Sequence, residues 1–384
     1  MRVYQSKKAD TMTDENAEEI FQLLRPVELA SMPDNPLVSL LTSNYNYALY
    51  LREAIESALA QTYANFEMIV CDDGSTDDSC EVVEHYASRD PRIKLVRKKN
   101  GGVSSALNAA YRESHGDIVC LLDADDRFLP EKLEKVVKAF RSHPDSGFLG
   151  HRMFLIDAEG RRHGLKPLFA NHPSGWFGPN VVRNGDFPEG LSFGSGLCLR
   201  REISNLIFPL PEMFRSGADG VIMTLAPLMT LIIGINVPLT EYREHGKNVT
   251  NTAHVTLDFL ERNLRLLRMY SELRNEYLKK VDLRLSEISP KFDELMGTRS
   301  SIYIQERLKK GGGSLSAYQK FVRAHGFRGI HPVLRWFWRC SILLPRPLFR
   351  YAVNEALRPK RVKQFVWRAV RSRPTGIMTR LRQA

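Results

Sequence analysis

The stretch IVCDDGSTDDS, residues 69–79, joins a short apolar segment to four aspartates that lie within seven residues of one another. Clustered carboxylates repel one another, and the repulsion grows where water is excluded. A chain keeps such a cluster at the end of a buried strand when the side chains cap helices, stay solvated in turns or bind a ligand. The segments on either side of the stretch help to decide between these roles.

Segments with strand patterns and segments with helix patterns alternate along the first part of the chain. Strands are predicted at 38–43, 66–71, 92–97 and 117–123, and helices at 47–63, 77–88, 104–114 and 130–143. Asp77 is placed to cap the second helix, and Pro130 opens the fourth. Such alternation with short links is typical of an α/β fold in which helices cover both faces of a mostly parallel sheet.

The alternation fades after residue 150, and the remaining sequence divides into segments of different character. We predict an extension at 1–36 with one short helix near 17–24, a first half-domain at 37–150 and a second at 151–254, which contains an apolar helix at 218–232. A helical C-terminal region follows at 255–310, then a break at GGGS and a basic, aromatic tail at 315–384. No internal repeat or sustained heptad pattern is visible.

Composition limits the class of protein. A chain of 384 residues suggests two or three domains, and an apolar share of 43% indicates a sizeable core. The five cysteines are odd in number and lack C-x-x-C spacing, which argues against a disulfide framework or a zinc site. No apolar stretch resembles a signal peptide or reaches the ~18 residues of a spanning helix. These features predict a cytoplasmic protein.

The positive charge is concentrated at one end. Residues 301–384 contain 19 Lys or Arg and 2 Asp or Glu, a net charge of +17, whereas residues 1–300 contain 36 and 42. Aromatic and aliphatic residues alternate with arginines in 331–353 and 358–373, as in helices that lie in a membrane interface. The tail therefore predicts peripheral attachment to an anionic membrane, which liposome flotation with and without residues 315–384 tests. A solvated basic face, or packing on the first domain, is the alternative.

Polar residues follow each predicted strand of the first half-domain. Ser43 and Tyr45 follow the first strand, Asp72 and Asp73 the second, NGG at 100–102 the third and DADD at 123–126 the fourth. Ligands of open α/β sheets bind outside the carboxyl ends of the strands. The carboxylates of two different strands are therefore expected to converge on one edge.

The two acidic clusters suggest different partners. Mg²⁺ commonly binds one or two carboxylates together with the phosphates of a substrate, and the Asp-x-Asp of Asp123 and Asp125 supplies such a pair. A metal there would neutralise a diphosphate as it leaves, while Asp73 lies where a base or ribose can be hydrogen-bonded. Helix capping remains the alternative for each cluster taken alone.

Six motifs in order resemble the inverting family 2 glycosyltransferases of the A-type fold. They lie in SALAQTYANFEMIVCDDGSTDDS (57–79) and KKNGGVSSALNAAYRESHGDIVCLLDADDRFLPEKL (98–133), together with SNYN in the opening strand. The clear match covers about 38–140. A weaker one continues to about 251 through FGSGLCLRRE, RSGADGVIM and PLTEYREHGKNVT.

The resemblance implies roles for the residues at the strand ends. Ser43, Tyr45 and Gly102 would line the nucleotide pocket. Asp73 would accept a hydrogen bond from the nucleobase, with Asp72 nearby. In this view residues 37–150 bind the nucleotide sugar and residues 151–254 bind the acceptor.

The resemblance also implies a metal site and a catalytic base. Asp123 would face the ribose and the metal, Asp125 would bind the metal directly, and His245 would reach the metal or the diphosphate. Asp219 stands where the family places its base, although Ala218 replaces the usual glutamate before it. A helix N-cap is the alternative role for Asp219, and a structural histidine is the alternative for His245.

The function that follows is the transfer of one sugar, with inversion, from a nucleoside diphosphate donor to a hydroxyl, with Mg²⁺ or Mn²⁺ as cofactor. A UDP-sugar donor and a saccharide or lipid-linked saccharide acceptor are expected, in the synthesis of a cell-surface polysaccharide or glycolipid. If Asp219 is not the base, Asp186 and Glu189 are the next candidates.

Two other classes remain as alternatives. A sugar-1-phosphate nucleotidylyltransferase also binds nucleotides near acidic clusters, but its glycine-rich phosphate loop is not visible. A membrane-surface or nucleic-acid binding module would use the basic tail, yet it would not need the carboxylate edge, and no nucleic-acid partner is expected. The sequence contains neither G-x-G-x-x-G nor G-x-x-x-x-G-K-[ST], the motifs of dinucleotide folds and P-loops.

Overall fold

The computed structural model describes residue 20 and residues 22–162, 171–245 and 257–310, together with positions 341, 345, 348, 349 and 353. The chain forms two compact units. The first contains Met1–Asn251 and Met269–Lys291, and the second contains Thr252–Arg268 and Phe292–Ala384. The predicted membrane contact of the tail concerns residues that lie, apart from the single positions above, outside the described part of the chain.

The first half-domain consists of alternating strands and helices, as the sequence predicts. The strands are β1 (Val38–Asn44), β2 (Phe66–Asp72), β3 (Ile93–Arg97), β4 (Ile118–Leu121) and the short β5 (Arg127–Phe128). The helices are α1 (Ala48–Leu59), α2 (Ser79–Ala87), α3 (Val103–Arg112) and α4 (Lys132–Ser142). In α1 the buried residues are Leu51, Ala54, Ile55 and Ala58, which is the spacing of one helix face.

The second half-domain and the C-terminal region contain three further strands and six further helices among the described residues. The strands are β6 (Ser146–Ile156), β7 (Leu197–Arg200) and β8 (Leu231–Arg243). The helices are α5 (Gly178–Asn184), α6 (Arg201–Ile207), α7 (Ala218–Met229), α8 (Leu257–Val281), α9 (Leu283–Ile288) and α10 (Met296–Lys310).

All eight strands form one mixed sheet in the order β3-β2-β1-β4-β7-β6-β8-β5. Strand β1 pairs in parallel with β2 and β4, and β2 pairs in parallel with β3. Strand β7 runs antiparallel to β4 and β6, whereas β6 and β8 are parallel. The predicted α/β class with a helical C-terminal region is thus confirmed, and the antiparallel β7 joins the two halves of the sheet.

Strand β8 is absent from the predicted elements. Its sequence LIIGINVPLTEYR contains Gly234, Asn236 and Pro238, which weaken a strand pattern. The structure accommodates these residues with register shifts against β6, at His151 and Arg152. The strand matters because it brings its C-terminal end to the same sheet edge as β4.

The core of the first unit lies around the central strands. Strands β2 and β4 are buried along their whole length. Helices α1 and α4 pack against them through Leu51, Ile55 and Phe140, which have no exposed surface. A second cluster joins Ile20 and Leu24 of the extension to Val181, Leu228, Leu278 and others. Within the predicted helix at 17–24, residues 20, 22 and 23 are described and helical.

Among the described residues, no helix combines the length and the apolar character needed to cross a lipid bilayer.

A buried histidine couples the second half-domain to pH. His172 is 5% exposed, and its Nε2 accepts the backbone N–H of Ser192 at 2.8 Å, so this nitrogen carries no proton. Burial lowers the pKa of His172 to about 4. The ring also fills the space beside Gly150, where an added Cβ would lie 2.1 Å from it.

We predict that this histidine destabilises the fold in acid. Its pKa in the unfolded chain is about 6.5, so the stability it contributes is full above that pH and is lost as pH falls through about 4. The loss from this one group is on the order of 3 kcal/mol. Urea unfolding between pH 7 and pH 4 should show a shallower decline for His172→Gln than for wild type. The exposed His143 provides the control, since His143→Gln should follow the wild-type curve; identical slopes for all three proteins would contradict the prediction.

Candidate active site

A cleft of about 370 Å³ opens at the carboxyl edge of the parallel strands. Seven of the nine residues predicted to form the site line it: Ser43, Tyr45, Asp73, Gly102, Asp123, Asp125 and Asp219. Other lining residues include Asn100, Leu107, Leu121, Phe193, Gly194, Arg215, Ala218 and Tyr242. Of the two remaining predicted residues, His245 contacts a lining residue, and Asp72 lies behind the edge.

Asp73 organises the loop that follows β3. Its Oδ1 accepts from Lys98 Nζ at 2.7 Å and from the Gly101 N–H at 2.9 Å, and its Oδ2 accepts from the Gly102 N–H at 2.7 Å. Gly102 has a φ of +91°, and a Cβ there would lie 2.6 Å from Arg215 Cα, so only glycine fits. The NGG motif is therefore a loop that closes on a buried carboxylate.

Asp72 has a role within the turn. Its Oδ1 accepts from the N–H groups of Gly74 and Ser75, and its Oδ2 accepts from Asn44 Nδ2 at 2.9 Å. Burial opposes ionisation, but these hydrogen bonds outweigh it and lower the pKa of Asp72. Because the carboxylate is enclosed by the turn, we leave Asp72 out of the proposed nucleotide site.

The turn after β1 is tied to the same loop. Asn46 has a φ of +58°, its N–H donates to Ser75 Oγ, and its Oδ1 accepts from the Thr76 N–H. This holds Tyr45 at the mouth of the cleft, where it is 46% exposed. Asp77 joins α1 to α2, because it accepts from the N–H groups of Ala48 and Ser79, while Asp78 is the N-cap of α2.

The DADD segment brings three carboxylates together after β4. Burial, followed by the charges of Asp125 and Asp219, raises the pKa of Asp123 to about 8. Asp126 is fully buried, its Oδ1 accepts from the Arg243 N–H at 2.8 Å, and burial and Asp125 raise its pKa. The edge thus gathers more carboxyl groups than its own partners compensate, so ionisation of these carboxyls is disfavoured unless a cation binds there.

Asp125 and His245 form the pair that could hold a metal. Asp125 Oδ2 lies 2.9 Å from His245 Nε2, and the imidazole stacks on Tyr50 with ring centroids 4.9 Å apart. In the described part of the chain, no group of three or more His, Cys, Asp or Glu side chains is placed to hold a metal ion. One carboxylate and one imidazole, with Asp123 nearby, fit a cation that also binds the phosphates of a ligand.

A buried lysine lies close to the carboxyls of the acidic edge. Lys132 has no exposed surface, its Nζ donates to the Ser195 carbonyl at 2.6 Å, and it lies 3.3 Å from the centre of the Phe128 ring. Burial lowers the pKa of Lys132, and nearby acidic groups including Asp126 and Asp123 oppose the shift. Sequence reasoning missed this residue, although Lys132 falls on the buried stripe of α4 with Val136.

A buried arginine near the end of β8 holds the backbone at Asp125. Arg243 Nε donates to the Asp125 carbonyl at 2.7 Å, and its other nitrogens donate to Glu53 Oε2 and the Ala158 carbonyl. Arg243 is fully buried over the Tyr50 ring. No sequence signal separated it from the many exposed arginines, because β8 was not recognised as a strand.

Asp219 lies in the first turn of α7 and lines the cleft. Its Oδ2 accepts from the Gly194 N–H at 3.2 Å and its Oδ1 from the Gly220 N–H at 3.0 Å. Burial raises the pKa of Asp219, and these N–H groups partly oppose the shift. The N-cap of α7 is Gly217, so the alternative role of Asp219 as the N-cap is wrong. Asp186 and Glu189 are not among the residues that line the cleft.

Comparison with known proteins identifies the class. The family model described as Glycosyl transferase family 2 matches residues 39–204. An uncharacterized glycosyltransferase of Nostoc sp. is 32% identical over 250 residues, which cover 64% of this chain and 76% of that protein. The chain therefore belongs to glycosyltransferase family 2 and is a glycosyltransferase, which confirms the resemblance seen in its motifs.

Other relatives match over shorter stretches or at lower identity. Chondroitin synthase of Pasteurella multocida is 38% identical over 121 residues, which are 32% of this chain and 12% of that protein. The crystal structure of S. aureus TarS 1-349 in complex with UDP-GlcNAc superposes with a TM-score of 0.50 at 20% identity, covering 82% of this chain and 86% of the other. This structural likeness shows the shared fold.

We predict that the site tolerates no side chain at Gly194, which lies between Asp123 and Asp219. Its φ is +47°, and a Cβ there would lie 2.4 Å from Asp123 Oδ2, while its N–H holds Asp219. Gly194→Ala should displace Asp123 and abolish the thermal stabilisation that the expected nucleotide and metal sites predict for UDP with Mn²⁺. Gly175 is the matched control, since its φ is also positive, at +119°, but nothing lies within 4 Å of its Cβ position. Gly175→Ala should keep the nucleotide response; equal responses of the two variants would refute the prediction.

Proposed function

We propose that this glycosyltransferase is metal-dependent and transfers a sugar from a UDP-sugar to a saccharide hydroxyl, with inversion at the anomeric carbon. The observation that carries the proposal is that Asp73, Asp125 and Asp219 line the same cleft. A nucleotide, a metal-bound diphosphate and an acceptor hydroxyl would each need one of these three carboxylates.

The donor end of the cleft is formed by the strand ends of the first half-domain. Asp73 Oδ2 accepts one hydrogen bond, from Gly102, and a carboxylate oxygen has two lone pairs, so one position remains for an N–H of the nucleobase. Ser43 and Tyr45 line the same region, and the aromatic ring at the mouth offers a face for stacking. Asp123 also lines the cleft.

The metal site in this proposal consists of Asp125 and His245, with Asp123 beside them. The adjacent Asp125 Oδ2 and His245 Nε2 would bind Mn²⁺ or Mg²⁺, which, when bound, neutralises charge on the leaving diphosphate. Arg243 and Glu53 hold the backbone of Asp125 in place. The pKa of about 8 for Asp123 agrees with an edge that is overcharged without a cation.

Asp219 is proposed as the base. It lines the same cleft as Asp125, and a displacement with inversion needs one base opposite the leaving group. A buried carboxylate with a raised pKa removes a proton more readily than an ordinary aspartate at a pH above that pKa. The carboxylate is held by two backbone N–H groups, which fix its orientation towards an acceptor.

The relatives guide the choice of substrates to test. TarS is crystallised with UDP-GlcNAc, and other relatives are named chondroitin synthase and hyaluronan synthase. We therefore propose a UDP-sugar donor and an acceptor that belongs to a growing polysaccharide or glycolipid.

The first test is donor hydrolysis, measured as UDP or GDP release. The panel is UDP-glucose, UDP-galactose, UDP-N-acetylglucosamine, UDP-glucuronate and GDP-mannose, each with Mn²⁺ or with EDTA. We expect release from at least one UDP-sugar, with Mn²⁺ only. Asp125→Ala should lower the rate by roughly 100-fold, the usual effect of removing one electrostatic stabiliser, and should leave the circular dichroism spectrum unchanged. Equal rates with EDTA, or near-normal turnover of the variant, would show that the reaction needs no metal at Asp125.

The second test separates the base from donor binding. Asp219→Asn keeps the size of the side chain and removes its basicity, so turnover should fall roughly 100- to 10,000-fold. The donor KM should change little, because the nucleotide and metal contacts come from other strand ends. Asn should also preserve stability, since its amide oxygen can still accept from Gly194. Turnover within a factor of three of wild type would show that Asp219 is not the base.

A further inference from the structure

The segment before Asp219 is fastened to the donor half-domain at two places. The Leu210 N–H donates to Asn108 Oδ1 at 2.6 Å, and Asn108 Nδ2 donates back to the Leu210 carbonyl at 2.8 Å. Further along, the Val103 N–H donates to the Arg215 carbonyl at 3.1 Å. Both contacts come from α3, and they are made at Leu210 and Arg215, nine and four residues before Asp219. They therefore do not fix residues 216–218, which lie directly before the Asp219 carboxylate.

Helix α8 supplies that hold through one side chain. The Tyr270 hydroxyl donates to the Gly217 carbonyl at 2.6 Å, two residues before Asp219. The Tyr270 ring is stacked on Phe214, with centroids 5.1 Å apart and planes 8° from parallel. Burial, and then the charge of Asp219, raises the pKa of Tyr270, so the hydroxyl is protonated at neutral pH and can donate.

The first turn of α7 is shaped to receive this ring. A Cβ on Gly220 would lie 2.3 Å from both Cζ and the hydroxyl oxygen of Tyr270, so the ring rests directly on the glycine. Gly217 is the N-cap of α7 in the left-handed conformation, with a φ of +76°. Its carbonyl also accepts the Gly220 N–H at 3.1 Å. Tyr270 therefore contacts the residues on both sides of Asp219.

We propose that Tyr270 is a positioning residue for the reaction: its hydroxyl and ring set the start of α7 and thereby the direction of the Asp219 carboxylate. This inference rests on the proposed role of Asp219 as the base. It extends the functional site to a helix that lies outside residues 39–204, the part matched by the family model. A displacement of about 1 Å at a reacting group can cost roughly 100-fold in rate, so a hydrogen bond that fixes this turn has a measurable effect.

The decisive variant is Tyr270→Phe, which removes the hydroxyl and keeps the ring between Phe214 and Gly220. We expect turnover of the best donor in the panel to fall about 10-fold, within the range for a misplaced group, with the donor KM within a factor of two. Tyr277→Phe is the matched control. It makes the same change in the same helix, but Tyr277 packs against the apolar cluster of Leu24 and Val182, away from the cleft, and its turnover should equal that of wild type.

A second pair of variants tests the contact between the ring and the helix. Gly220→Ala should lower turnover, because the new methyl group collides with the Tyr270 ring. In Gly220→Ala/Tyr270→Ala the collision is absent, so the double variant should be no slower than Tyr270→Ala alone. If Tyr270 has a purely structural role, these variants should have lower melting temperatures but unchanged turnover per folded molecule. Circular dichroism measures the melting temperature, and titration with UDP and Mn²⁺ counts the folded active sites.

The outcomes separate this inference from the proposed function. If Asp219→Asn is slow while Tyr270→Phe matches Tyr277→Phe, the base assignment stands and the positioning role is wrong. If Tyr270→Phe raises the donor KM and leaves turnover unchanged, the positioning role is also wrong. If Asp219→Asn is as fast as wild type, the base assignment fails, and the inference fails with it.

Discussion

The constraint on which the site depends is the accumulation of negative charge at one sheet edge. Asp123, Asp125, Asp126 and Asp219 gather there, and burial keeps water from screening them. The buried Lys132 places a positive charge close to these carboxyls. Backbone N–H groups also donate hydrogen bonds to Asp126 and Asp219. Lys132 bonds the Ser195 carbonyl, while Ser195 Oγ accepts the Asp123 N–H at 2.8 Å. The lysine thus compensates charge and fixes the segment that separates Asp123 from Asp219.

The same constraint explains why the acidic edge is built from distant parts of the chain. Arg243 from β8 joins the Asp125 carbonyl to Glu53 of α1, and β8 reaches the edge only because it pairs with β6. A buried ion pair stabilises a fold only when its remaining donors are also satisfied. The three Arg243 side-chain nitrogens each find an oxygen acceptor, so the charge can be buried there and hold the loop firmly.

The first half-domain was predictable because its signals are local. Alternating strand and helix patterns, together with polar strand ends, gave the parallel sheet and most of the cleft residues. The sequence could not show that Asp72 turns into its own loop, since that depends on the Asn44 and Ser75 contacts. Lys132 and Arg243 were missed because their burial is decided by tertiary packing. Strand β8 was missed because Gly234 and Pro238 interrupt its pattern, and a neighbouring strand with shifted register compensates.

The proposed roles of the cleft residues correspond to the secondary-structure elements that carry them. Most of the proposed donor and metal residues follow strands of the sheet, and two of these strands, β2 and β4, are buried along their whole length. Asp219 stands at the start of a helix, after a segment held by α3 on one side and α8 on the other. In the proposed function this part of the cleft would meet the acceptor, and Ala218 stands there where the resemblance implies a glutamate. The geometry of the proposed base therefore depends on a contact from beyond the second half-domain, because Tyr270 of α8 holds the turn that carries Asp219.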